Sequence, residues 1–366
     1  KLLDKAIDQD LITREMVHQF LIDEMNYGLQ RNIYFYFLKD TSVLMDVEYI
    51  VESINKLGKF YDNCELVKLL PFMHNITLGT ERGKTELLYA DIIKNSSLDI
   101  ESVRLIFPNG QFINGQEVNY YISIEINVPL KLLAIKLRGI NEKETQRTIN
   151  LNEIQFKFKN NILDQFELES INSISKIQRT IYNVTSDLTN RVLQPTIDLV
   201  NKKIKNVIEI ELNKWNAMIL EDKLEITPAD QESLKSSILN NYYRLYMQNI
   251  VGKISNKELK EDYKVDGYVR AVKFVDDTIG EGKAKSPTKK LSLSDTSVYY
   301  DIKSRLDQSK TIKYSTVYWI DVPGSKMAVG ATLHAESGRF KCNIFPYFFN
   351  KEMFDYVLRK IATYQG

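Results

Sequence analysis

"VRLIFPNGQFINGQEVNYYISIEINV", Val103 to Val128, sets β-branched and aromatic residues against polar ones and is punctuated by Gly110 and Gly115. A period of two sends successive side chains to opposite faces of an extended chain, and glycine permits tight reversals, so the stretch predicts antiparallel strands around two glycine turns. "KLLAIKLRGI" from Lys131 and "NEIQFKFK" from Asn152 extend the pattern, giving a small sheet over Ser102 to Lys159. Upstream, Leu2 to Leu29 carries apolar residues near helical spacing, "NIYFYFL" at Asn32 to Leu38 is a strand by aromatic content, and Val43 to Leu57 is a helix ending at Gly58.

Working toward the C-terminus, Ile174, Ile177, Ile181, Val184 and Leu188 step by three and four, the spacing of a coiled-coil seam. Arg191 interrupts it and Pro195 predicts a break, because proline removes a helix donor and clashes with the preceding turn. The stripe resumes in a shifted phase at Ile197, Val200, Ile204 and Val207, and runs toward Trp215 and Met218. Such a stripe needs a facing surface, either this chain's own core or a partner. Thr227 and Pro228 then form a strong helix start, followed by Leu234, Ile238, Tyr242 and Leu245 on one face.

"GYVRAVKFV" from Gly267 predicts a strand, and the Gly-, Ser- and Lys-rich stretch 280–295 predicts a flexible basic loop. Two or three further strands with turns at Gly324 and Gly338 follow. A closing helix buries Met353, Phe354, Val357, Leu358 and Ile361. The expected fold class is α+β and multi-domain: an N-terminal helix and antiparallel-sheet domain over 1–160, long helices with a heptad-like stripe over 161–252, and a small antiparallel α+β module over 253–366.

Composition excludes little. Lys+Arg 49 against Asp+Glu 48 leaves +1, so no global field draws in nucleic acid or an anionic membrane, and any such contact must be local. No apolar run has the length of a bilayer span, and "KLLDKAIDQD" lacks a secretion signal's apolar core. Cys64 and Cys342 stand far apart with no metal-ligand spacing, which predicts reduced thiols, no metal, no cofactor and a cytoplasmic setting.

Motifs are incomplete. "TLGTERGKTELLYADIIK", from Thr77, places three residues between Gly79 and Gly83 where a phosphate-binding loop has four, and it reads instead as a polar loop leading into a helix over Glu86 to Ile93. Clustered carboxylates with a lysine would suit a metal-dependent nuclease; Asp62, Glu65 and Lys68 have the spacing of a solvated helix face, and Asp321, Glu336 and Lys341 are the stronger set.

Lys283, Lys285, Lys289 and Lys290, with Tyr299, Tyr300 and Arg305 nearby, combine cations and aromatic faces as single-stranded nucleic-acid sites do. Tyr314, Tyr318 and Trp319 add aromatic surface. "GYVRAVKFVDD" and "IKYSTVYWI" resemble the core-binding and melting segments of transcription initiation sigma factors. In that family both are helical, whereas Gly267 and the β-branched content here favour strands. The functional expectation is a non-enzymatic subunit of a larger intracellular assembly, with a protein partner or self-association through the central helices, no membrane contact, and single-stranded nucleic acid as a further ligand. The alternative is a nuclease or nucleotide-processing enzyme.

Overall fold

The computed structural model describes residues 7, 9, 11–28, 30–59, 87–113, 116–138, 151–221, 227–250, 256–276, 280–288, 292–346 and 349–365. The Gly79–Thr85 motif, Asp62, Cys64, Glu65, Lys68, His74, Lys289 and Lys290 lie outside them.

In chain order the elements are α1 (Arg14–Asp23) with a π-helical turn Glu24–Gly28, β1 (Asn32–Phe37), α2 (Val47–Lys59), β2 (Tyr89–Lys94), β3 (Ile100–Ile113), β4 (Gln116–Asn127), β5 (Leu132–Leu137) and α3 (Leu151–Gln165). Then come α4 (Ile174–Val200), a second π-helical turn Asn201–Lys205, α5 (Asn206–Glu221) and α6 (Pro228–Ile250). A short helix Asn256–Glu261 precedes β6 (Gly267–Asp276), β7 (Gly280–Lys285), α7 (Ser297–Ser309), β8 (Ile312–Trp319), β9 (Val329–Glu336), β10 (Arg339–Ile344) and α8 (Lys351–Thr363). The fold is α+β, and it forms two compact units: Lys1–Ile174 with Glu336–Thr363, and Ser175–Ala335 with Tyr364–Gly366.

The first unit is built on antiparallel strands in the order β2-β3-β4-β5-β1-β10. The stretch Val103–Val128 forms one hairpin, and Gly110 sits inside β3 opposite Asn119 rather than at a turn. Alternation sorts its side chains. Val103, Leu105, Phe107, Ile122, Ile124 and Ile126 join Leu133, Ile135 and Leu137 in one hydrophobic core with residues of α2 and α3. Arg104, Ser123, Glu125 and Lys136 fall on the opposite face, where they too are buried.

Two expected elements change type. Asn152–Lys159 belongs to helix α3, because Ile154, Phe158 and Ile162 step by four and pack on the core. Tyr89–Lys94, expected as the end of a helix, is strand β2, paired along β3.

The second unit carries an antiparallel sheet in the order β9-β8-β6-β7. Both sigma-like fragments are therefore strands. Part of the expected flexible loop is also ordered: Gly280–Lys285 pairs with β6, and Leu293–Asp295 is a 3-10 turn capped by Ser292. Helix α4 runs through Pro195, which is solvent-exposed, and the helical irregularity comes later, in the π-turn at 201–205. Thr227 caps α6 as expected, its hydroxyl accepting from the Asp230 amide at 3.2 Å. The buried set of α8 is also the expected one, although α8 and β10 complete the first unit. Cys342 on β10 is a buried free thiol, pushed up in pKa by that burial.

Candidate functional site

The residues of the expected catalytic set each have a partner outside the set. Asp321, just beyond the end of β8, is ion-paired with Lys260. Glu336, at the far end of β9, pairs with Arg339 at 3.1 Å, and the Lys341 ammonium lies 5.7 Å from the centre of the Tyr34 ring. The α4 seam divides. Ile177, Ile181, Val184 and Leu188 are buried and Thr185, on the same helix, donates to Ser315 on β8 at 2.9 Å, so these four are core and offer no association surface; Ile174 is exposed. Tyr299 and Tyr300 are 2% and 4% exposed, which removes them as stacking platforms. Arg305 is exposed on α7.

Lys283 and Lys285 belong to a better-defined surface. In β7, Ala284 points into the core while Glu281, Lys283 and Lys285 are exposed. Cross-strand register extends that outer face. Lys283 stands opposite Lys273, Lys273 opposite Tyr314, and Tyr314 opposite His334, one row across all four strands. The Tyr314 and His334 rings are 5.3 Å apart. Further along β8, Tyr318 stands opposite Tyr268, their rings stacked at 5.4 Å with planes 8° apart. Between these two aromatic pairs lie Thr316 and Thr332, with Thr316 Oγ1 donating to Tyr314 Oη at 3.1 Å.

Glu281 bridges Lys273 at 2.6 Å and Lys313 at 2.8 Å, and hydrogen bonds from the two ammonium groups pull its carboxyl down to about 2. Lys283 and Lys285 make no ion pair with a described residue. Tyr268, Lys273 and Lys313 were missed as site residues. The period-two spacing of Tyr314, Thr316 and Tyr318 was the available signal.

A second surface lies on α5 and α6. Lys235 pairs with Glu209, and Tyr243 donates to Asn201 at 2.7 Å, so the two helices run antiparallel. Ile208, Leu212, Leu239 and Tyr243 are buried. Val207, Ile210, Trp215 and Met218 on α5 and Leu234, Tyr242, Leu245 and Tyr246 on α6 are exposed, Met218 at 67% and Leu245 at 58%. The π-turn explains the outward stripe. It takes one residue more than an α-turn, so the buried positions move to Ile208 and Leu212 and a stripe extrapolated from α4 through Val207 faces solvent.

A polar groove of about 420 Å³ follows α4 past Tyr182, Ser186, Asp187, Asn190, Arg191 and Tyr364. Its groups largely satisfy one another: Arg191 binds Asp187 at 2.8 Å, Tyr364 donates to Asp187, and Asn190 donates to Ser186 at 2.7 Å. Among the described residues no helix is long and apolar enough to cross a membrane. The chain matches no protein-family model, no curated protein and no solved structure.

Proposed function

We propose that the protein is a non-enzymatic, cytoplasmic subunit of a larger assembly, and that it receives an amphipathic helix of a partner protein along the α5–α6 face. The observation that carries this reading is the exposure of eight large apolar side chains on two packed helices; concentrated apolar surface is a mark of interaction sites. A helix laid along a helical pair seats its ridges in the groove between them. Lys202, Lys203 and Lys205, in the turn that opens α5, favour an acidic flank on the incoming helix. The nuclease alternative needs Asp321, Glu336 and Lys341 to converge, and their separate partners give it no support.

The test is Ile210→Glu with Leu245→Glu. Both side chains are exposed, so the variant should keep wild-type thermal unfolding while losing proteins that co-purify with the wild type, or losing self-association in light scattering. Identical partners and identical mass for wild type and variant would overturn the reading.

A further inference from the structure

We propose that the outer face of the β9-β8-β6-β7 sheet is a binding site for single-stranded nucleic acid. Two features of one surface carry this. Two aromatic platforms, Tyr314 with His334 and Tyr268 with Tyr318, stand four residues apart along β8, about 13 Å. Bases exposed in a single strand stack on such rings, whereas the bases of a duplex are already stacked on each other. Between the platforms stand Thr316 and Thr332, 4% and 8% exposed with their hydroxyls 3.5 Å apart, so the rings on either side, and not the threonines, are the surface offered to a base.

Along one side runs a bank of lysines. Lys273 and Lys283 face each other across β6 and β7, Lys285 lies two residues on, and Lys313 joins them through Glu281. Four cations against one carboxylate make the bank attractive to a phosphate backbone. Glu281 holds Lys273 and Lys313 in place, while Lys283 and Lys285 are the exposed pair that a phosphate would meet first. Aromatic rings on the sheet face and cations at its β7 edge match a strand lying with bases against the rings and phosphates along β7.

The site does not rest on the α5–α6 reading, since the two surfaces share no residue. The experiment is fluorescence anisotropy on the full chain with labelled single-stranded DNA, single-stranded RNA and the matched duplex, over a range of salt. Single strands should bind more tightly than duplex, with the DNA and RNA arms telling which sugar is preferred. Lys283→Ala with Lys285→Ala should weaken binding and reduce the salt slope by about 1.4, the counterion release of two phosphate contacts on a single strand. Tyr314→Ala with Tyr318→Ala should weaken single-strand binding about tenfold or more. Tyr318→Phe, which keeps the ring, should bind as wild type, and Ile210→Glu with Leu245→Glu should leave binding intact. No binding at low salt, equal affinity for duplex, displacement by poly(glutamate) at matched charge, or tyrosine variants that bind normally would each overturn the proposal.

Discussion

Lys136 is wholly buried on β5 and is ion-paired with Glu125, 2.8 Å away on β4. The Glu125 carboxylate also accepts from Tyr27 Oη at 3.2 Å, and the ammonium lies 4.2 Å and 4.1 Å from the Tyr27 and Phe354 ring centres. Burial pulls the lysine pKa down, opposed by the Glu125 charge. Such a pair is costly to desolvate, and breaking it costs more than replacing it. Glu125→Gln should therefore lower unfolding free energy by about 3–5 kcal/mol, and Lys136→Met combined with Glu125→Leu should recover most of the loss. Denaturant titration of the single and double variants checks this. A double variant no more stable than Glu125→Gln would show that the ion pair is not what the site depends on.

Among the elements, the π-turn at Asn201–Lys205 has the largest effect on what the protein presents to solvent. Because it accommodates one residue beyond a regular turn, deleting exposed Lys203 should leave a plain α-turn with Ile208 and Leu212 still facing the core. Thermal stability should change by less than about 1 kcal/mol. Inserting an alanine at the same turn should rotate α5 by about 100° and destabilise the protein far more. Thermal melts of the two variants compare them, and equal tolerance would remove the turn as the determinant of the exposed face.

This also marks where the sequence was legible. Strands β3 to β5, the capped start of α6 and the buried face of α8 each repeat a clean period over several residues. The π-turn has no periodic signature, so the stripe through Val207 and Trp215 looked like a continuation of the seam. "NEIQFKFK" fits a period of two as readily as one of four, and only Ile162, beyond the quoted stretch, separates them. Of the candidate nucleic-acid surface, Lys283 and Lys285 were readable from composition and Tyr314 and Tyr318 from alternation. Lys273 was hidden because its membership depends on β6 pairing with both β7 and β8.

At the scale of the whole molecule, the first unit is discontinuous: strand β1 pairs with β5 on one side and with β10 on the other, and β10 arrives only after Ser175–Ala335 of the second unit. A fragment of residues 1–174 should therefore lack cooperative unfolding, because β1 keeps an unpaired edge and the face around Lys136 lacks Phe354. Joining 336–363 to it through a short linker should restore a cooperative transition by circular dichroism. A fully cooperative 1–174 fragment would show the returning segment to be dispensable. During synthesis the same arrangement imposes a wait. At roughly 5–20 residues per second, the chain from Ser175 to Ala335 takes about 8–30 s to emerge, and for that interval the hydrophobic β1 edge, "NIYFYF", is made but uncovered. An unpaired edge of this composition invites pairing with another nascent chain, so the moment of greatest vulnerability to aggregation falls before the final strand is translated.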